Sequence, residues 1–123
     1  MSTWVSPMKN NKIKIVREIE DYLKTLLEKY HNRMPISELF KAFKLFETKY
    51  DIDIRYIESL DIEEDKEDKT VEYRSESYKI YDYNDKQFIA EIVVYTTRIY
   101  SDLSKQEIED EIVEDVDVFI MRG

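Results

Sequence analysis

The sequence predicts an α+β fold, an N-terminal helix pair packed on a mainly antiparallel sheet in the order α-α-β-β-β-α-β. Two observations carry that prediction. Apolar residues repeat at i, i+3 and i+4 as far as Tyr50 and alternate with polar residues after it. The 123 residues are 42% apolar, with ten Tyr and five Phe, which is enough for one continuous core.

Residues 1–8 lack periodicity and read as a flexible leader, leaving 9–123 as a single domain. From Lys9 to about His31, Val16, Ile19, Leu23 and Leu27 mark the apolar stripe of a long amphipathic helix. Pro35 disfavours helical geometry at Met34 and ends that pattern. Ile36, Leu39, Phe40, Phe43 and Phe46 then place a second helix over residues 36–49.

Ile52, Ile54 and Tyr56 alternate with Asp51, Asp53 and Arg55, predicting a half-buried strand over 51–60. The polar run Glu63 to Lys69 reads as an exposed connection. Val71 to Tyr83 is the second strand, with a bulge or bend expected near Ser75-Glu76-Ser77. Asn84-Asp85 supplies a turn without glycine, and Gln87 to Tyr100, the most apolar segment, is placed centrally. Ser104-x-x-Glu107 has the form of a capping box, so Leu103, Ile108, Ile112 and Val113 predict an acidic third helix ending near Glu114. Val116, Val118 and Ile120 return to alternation as a short last strand.

Charge is divided sharply. Residues 1–50 carry ten Lys/Arg against six Asp/Glu, while residues 51–123 carry nine against twenty-two, giving the overall net of -9. Glu58–Lys69 holds seven acids and Asp102–Asp117 holds eight. Such blocks set the local field and bear on partners rather than on fold.

Several chemistries are excluded. Without cysteine there is no thiolate metal site, disulfide or Cys nucleophile, and with a single Gly, at position 123, no glycine-rich phosphate loop can form. His31 is the only histidine, which rules out histidine triads and multi-histidine metal sites. Asp82, Asp85 and Glu91 are the best set for a metal-dependent phosphodiesterase, the lowest-ranked alternative, since no lysine follows Glu91 at the spacing a nuclease core needs. Asp61 to Glu72 has carboxylates at calcium-loop positions but Lys66 where the sharp turn requires Gly. No catalytic residue, cofactor or metal is expected.

The reading is therefore a small non-enzymatic interaction protein whose acidic surface docks onto a basic, nucleic-acid-handling protein. The candidate docking residues are Glu63, Glu64, Asp65, Glu67 and Asp68 in one block and Glu107, Asp110, Glu111, Glu114 and Asp115 in the other. By size and charge, without a shared motif, this is the kind of nucleic-acid mimic found among anti-CRISPR and anti-restriction inhibitors. A viral or mobile-element origin fits the Lys-, Ile- and Tyr-rich, Gly-poor composition. The alternative is a DNA-binding regulator using the basic helices, ranked second because the acidic half repels a duplex. Opposite charge on the two halves also permits a homodimer. Apolar runs such as Phe88 to Tyr95 are too short to cross a bilayer, so a cytoplasmic protein, in the host if viral, is expected.

Overall fold

The computed structural model describes residues 7–121. Helix α1 (Pro7–Lys29) is followed by a two-residue strand β1 (Met34–Pro35), helix α2 (Ile36–Tyr50) and four long strands, β2 (Ile52–Glu64), β3 (Val71–Asp82), β4 (Phe88–Tyr100) and β5 (Ile108–Ile120). All pairings are antiparallel, in the spatial order β1-β5-β4-β3-β2. The expected helix pair on an antiparallel sheet is present, and the apolar β4 is central.

Four expectations are corrected. The third helix does not form: Ser101–Glu107 is a turn and Ile108–Ile120 is one strand, which also absorbs the separate last strand. Asp102 Oδ1 accepts the Ser104 N–H at 2.9 Å and the Ser104 hydroxyl at 2.5 Å, so the supposed capping box closes a hairpin instead. Pairing with β4 along its whole length outweighs the local helical preference of an acidic segment. Met34-Pro35, read as a break, also pairs with Val113 and Ile112. Of the expected leader, Pro7 and Met8 belong to α1, and residues 1–6 lie outside the described residues. Finally, the irregularity expected near Ser75–Ser77 falls on the neighbouring strand, where Ile57 and Leu60 of β2 are the extra residues opposite that stretch.

One face of the sheet is covered by the helices. Val16, Ile19, Leu23 and Leu27 of α1, with Leu39, Phe43 and Phe46 of α2, meet Ile80, Ile92, Val94, Val113 and Val116. Burying each such side chain contributes roughly 1.5–3 kcal/mol. Phe43 stacks edge-on against Tyr78 at 5.1 Å, and Tyr22 against Phe46 at 5.2 Å. Burial, followed by the nearby Glu76 and Glu111 carboxylates, pushes the Tyr78 phenol up to about 12.

Turns are built without glycine. His31, Asn32, Asp51, Lys86 and Lys105 all adopt positive φ. At the end of α1 the Asn32 N–H reaches the Leu27 carbonyl at 2.8 Å and the His31 N–H reaches that of Glu28 at 3.0 Å, the paired bonds of a Schellman motif.

Candidate docking surface

The second face of the sheet has no helix against it, and the strand register decides which carboxylates it displays. Residues directly opposite in an antiparallel ladder point to the same face. Two successive rungs read Asp61–Ser75–Tyr95–Asp115 and Glu58–Ser77–Val93–Asp117, each with an acid at both ends. The open face thus carries Asp53, Glu58, Asp61 and Glu63 along β2 and Asp110, Glu114, Asp115 and Asp117 along β5. With Glu91 on β4 these make nine acids, against two cations, Arg55 and Lys79.

Bulges create this arrangement. The extra residues Ile57 and Leu60 shift the phase of β2 so that Glu58 and Asp61 face outward while Ser59 turns to the covered side. On β5, Glu114 is the extra residue between Val113 and Asp115, so Val113 and Val116 both enter the core and leave their acidic neighbours outside. Three strand spacings separate β2 from β5, about 14 Å, and successive same-face residues along a strand are ~6.7 Å apart.

Hydroxyl groups of the central strands hold several of these carboxylates. Ser77 donates to Glu91 at 2.6 Å, Tyr95 donates to Asp117 at 3.0 Å, and Thr97 donates to Glu114. The bond to Asp117 raises the Tyr95 phenol above its ordinary value, with burial adding to it. Cations engage the β5 row: Lys24 lies 3.1 Å from Asp115 and 3.9 Å from Asp117, and Arg33 lies 3.9 Å from Glu114. On β2, Glu58, Asp61 and Glu63 have no ion-pair partner among the described residues, and all three are exposed.

The sequence-based candidates divide into three groups. Glu63, Asp110, Glu114 and Asp115 stand on the open face. Asp65, Glu67, Asp68 and Glu107 gather at one end of the sheet, in adjoining turns linked by the Tyr100 N–H to Thr70 carbonyl bond of 2.8 Å. There Asp65 accepts the backbone N–H groups of Glu67 and Asp68 at 2.8 and 2.9 Å and the Tyr73 hydroxyl. The Tyr73 hydroxyl first, then those backbone donors, keep the Asp65 carboxyl below its usual range. Glu64 and Glu111 stand apart from both of these groups. They lie on the covered side, Glu64 2.7 Å from Lys105 and Glu111, only 8% exposed, 3.1 Å from Arg98.

Glu58, Asp61 and Asp117 also stand on the open face and lie outside the sequence-based set. Their only signal was period-two alternation, which the bulges interrupt. The phosphodiesterase set does not converge: Asp82 lies on the helix side, 3.5 Å from Lys12, whereas Glu91 is on the open face. Among the described residues no group of His, Asp or Glu is placed to hold a metal ion, and no helix is long and apolar enough to cross a membrane. Comparison with protein-family models, with curated proteins and with solved structures finds no match.

Proposed function

We propose that the open sheet face is a nucleic-acid mimic, docking into the basic groove of a protein that handles duplex nucleic acid. The carrying observation is the pair of carboxylate rows on β2 and β5, joined by rungs with an acid at each end. Their separation of about 14 Å is close to the ~12 Å width of a DNA major groove, so cations spaced for two backbones meet two rows of anions. Rows on a sheet replace the helix-borne array suggested by the sequence.

Charge alone would make a poor competitor. With Lys24 and Arg33 paired to the β5 row, five net negative charges over strands of 13 residues, ~43 Å long, give about one per 9 Å, whereas duplex DNA carries one per ~1.7 Å of axis. The band between the rows supplies the remainder, with Tyr73 and Tyr95 offering the aromatic contact that anchors protein interfaces. Direct DNA binding by the helices is disfavoured because Lys12, Lys24 and Lys41 are already paired with Asp82, Asp115 and Glu38.

The test uses proteins eluted by salt from a duplex-DNA resin, passed over the immobilised chain. Retention should be displaced by free duplex DNA, should weaken with salt, and should be lost in the variant Glu58→Lys/Asp61→Lys/Asp117→Lys. Retention that duplex DNA does not displace, or that survives the triple reversal, refutes the assignment.

A further inference from the structure

The helices cover only part of their own side of the sheet. The hydrophobic core stops at Tyr78, Val94 and Val113. On the same face the next rungs, Ile62–Arg74–Thr96 and Glu64–Glu72–Arg98–Glu111, replace the apolar surface with a network of charges. Arg74 lies 2.7 Å from Glu72 and 3.5 Å from Glu76, Arg98 lies 3.1 Å from Glu111, and Lys105 bridges Glu64 and Glu72 at 2.7 and 3.0 Å. Glu72, Glu76 and Glu111 are already nearly dry within the single chain, at 8%, 4% and 8% exposure, Glu76 lying opposite Val94 of the core and all three held in these ion pairs. Around this floor stand Tyr56, Ile62 and Ile108, each about half exposed, with Leu103 at 70%.

We infer that this floor and its apolar rim are the contact surface for a second copy of the chain, joined face to face about a two-fold axis. Charge selects that occupant. The floor carries four acids, Glu64, Glu72, Glu76 and Glu111, against Arg74, Arg98 and Lys105, one net negative charge on a chain of -9. The opposite face holds nine acids against Arg55 and Lys79 on its strands and Lys24 and Arg33 at its β5 side, so two copies approach most closely where the charges are already matched within each copy. A two-fold contact sets apolar rim against apolar rim and leaves both acidic faces outward. A basic partner, in contrast, is drawn to the open face.

Pairing of two β2 edges is a poorer route to the same dimer. Ile57 and Leu60 bulge that edge, and the Ile54 N–H is already bonded to the Glu47 carboxylate at 2.9 Å. The floor spans four strands and about five residues, ~15–20 Å on a side, which is small beside the ~800 Å² per partner of a standard interface. The dimer therefore belongs among weak, reversible associations.

Sedimentation equilibrium of the full chain, from about 5 to 500 µM, tests this, with circular dichroism to confirm that each variant is folded. The expected result is a monomer–dimer equilibrium that tightens with added salt, because screening weakens repulsion between two chains of -9 while leaving apolar contact intact. Ile62→Glu/Ile108→Glu should shift the midpoint at least tenfold upward, while Leu45→Glu, at a half-exposed apolar position on α2 outside this face, should leave it unchanged. A wild type that stays monomeric throughout overturns the inference. So does a dimer indifferent to the double substitution, or one that weakens with salt, which is the signature of basic helix meeting acidic sheet.

Discussion

Single residues carry the conformational cost of a chain that turns without glycine. His31 sits at the left-handed position of the Schellman motif with φ 54°. A residue with a Cβ is strained there by roughly 1–2 kcal/mol, partly offset by the greater freedom that glycine regains on unfolding. His31→Gly should therefore stabilise the fold by about 0.5–1 kcal/mol, read as a rise in urea midpoint with unchanged slope. Glu72 shows the same dependence of a residue on its neighbours. Burial alone would raise its carboxyl, but Lys105, Tyr100 and Arg74 more than offset this and hold it below the ordinary glutamate value. Because the folded-state pKa is depressed, its stabilising contribution is complete above the unfolded value of ~4.3 and is lost as pH falls through the folded one. The difference in urea midpoint between wild type and Glu72→Gln should stay constant from about pH 7 to pH 5 and shrink below ~4. A difference that does not change with pH would mean that Glu72 is not held ionised by these partners.

Between elements, β4 and β5 are joined on the helix side by the charged pair Arg98–Glu111, beyond the apolar pairs Ala90–Ile120, Ile92–Val118 and Val94–Val116. The Arg98 side chain is 20% exposed and that of Glu111 is 7% exposed, so removing one partner strands a charge out of water. Arg98→Met alone should cost roughly 3 kcal/mol, whereas Arg98→Met with Glu111→Leu should recover most of that loss, a coupling measurable in a double-mutant cycle. Fully additive effects would show that the two side chains do not act as a pair. The same residues mark the limit of what the sequence makes legible. Both helices are readable because their apolar stripes are unbroken, and the three strands following Tyr50 because their first or central stretches alternate, although β2 runs on to Glu64 past the extra residues Ile57 and Leu60 that interrupt its period. The β5 strand is not, since extra residues at Glu109 and Glu114 break its alternation and leave Ile108, Ile112 and Val113 at helical spacing. That one misreading spreads to the site. A helix would have put Glu107, Asp110, Glu111 and Glu114 on a common outward surface, whereas the strand sends Glu111 into an ion pair on the covered side and Glu114 to the open face. Glu58 and Asp61 escape notice for the matching reason on β2: their facing depends on bulges that only pairing with β3 reveals.

At the scale of the whole molecule, the open face works against the fold that displays it. Glu58, Asp61 and Glu63 are exposed without ion-pair partners among the described residues, and across the sheet they face the acids of β5, which are only partly matched by Lys24 and Arg33. Each like-charge neighbour costs a few tenths of a kcal/mol at the surface, a repulsion that persists at physiological salt because carboxylates along one strand lie within the ~8 Å screening length. Glu58→Lys/Asp61→Lys should for that reason be more stable than the wild type by about 1 kcal/mol, a rise in Tm of roughly 3–5 °C at this chain length. A docking surface retained at the expense of stability is the expected pattern of a functional site, since a face serving only solubility has no reason to keep its charges where they repel. The opposite result, a lower Tm in the reversed variant, would mean that these carboxylates are supported by the fold itself. The open face would then carry its charges at no cost to the fold, as a face serving only solubility does.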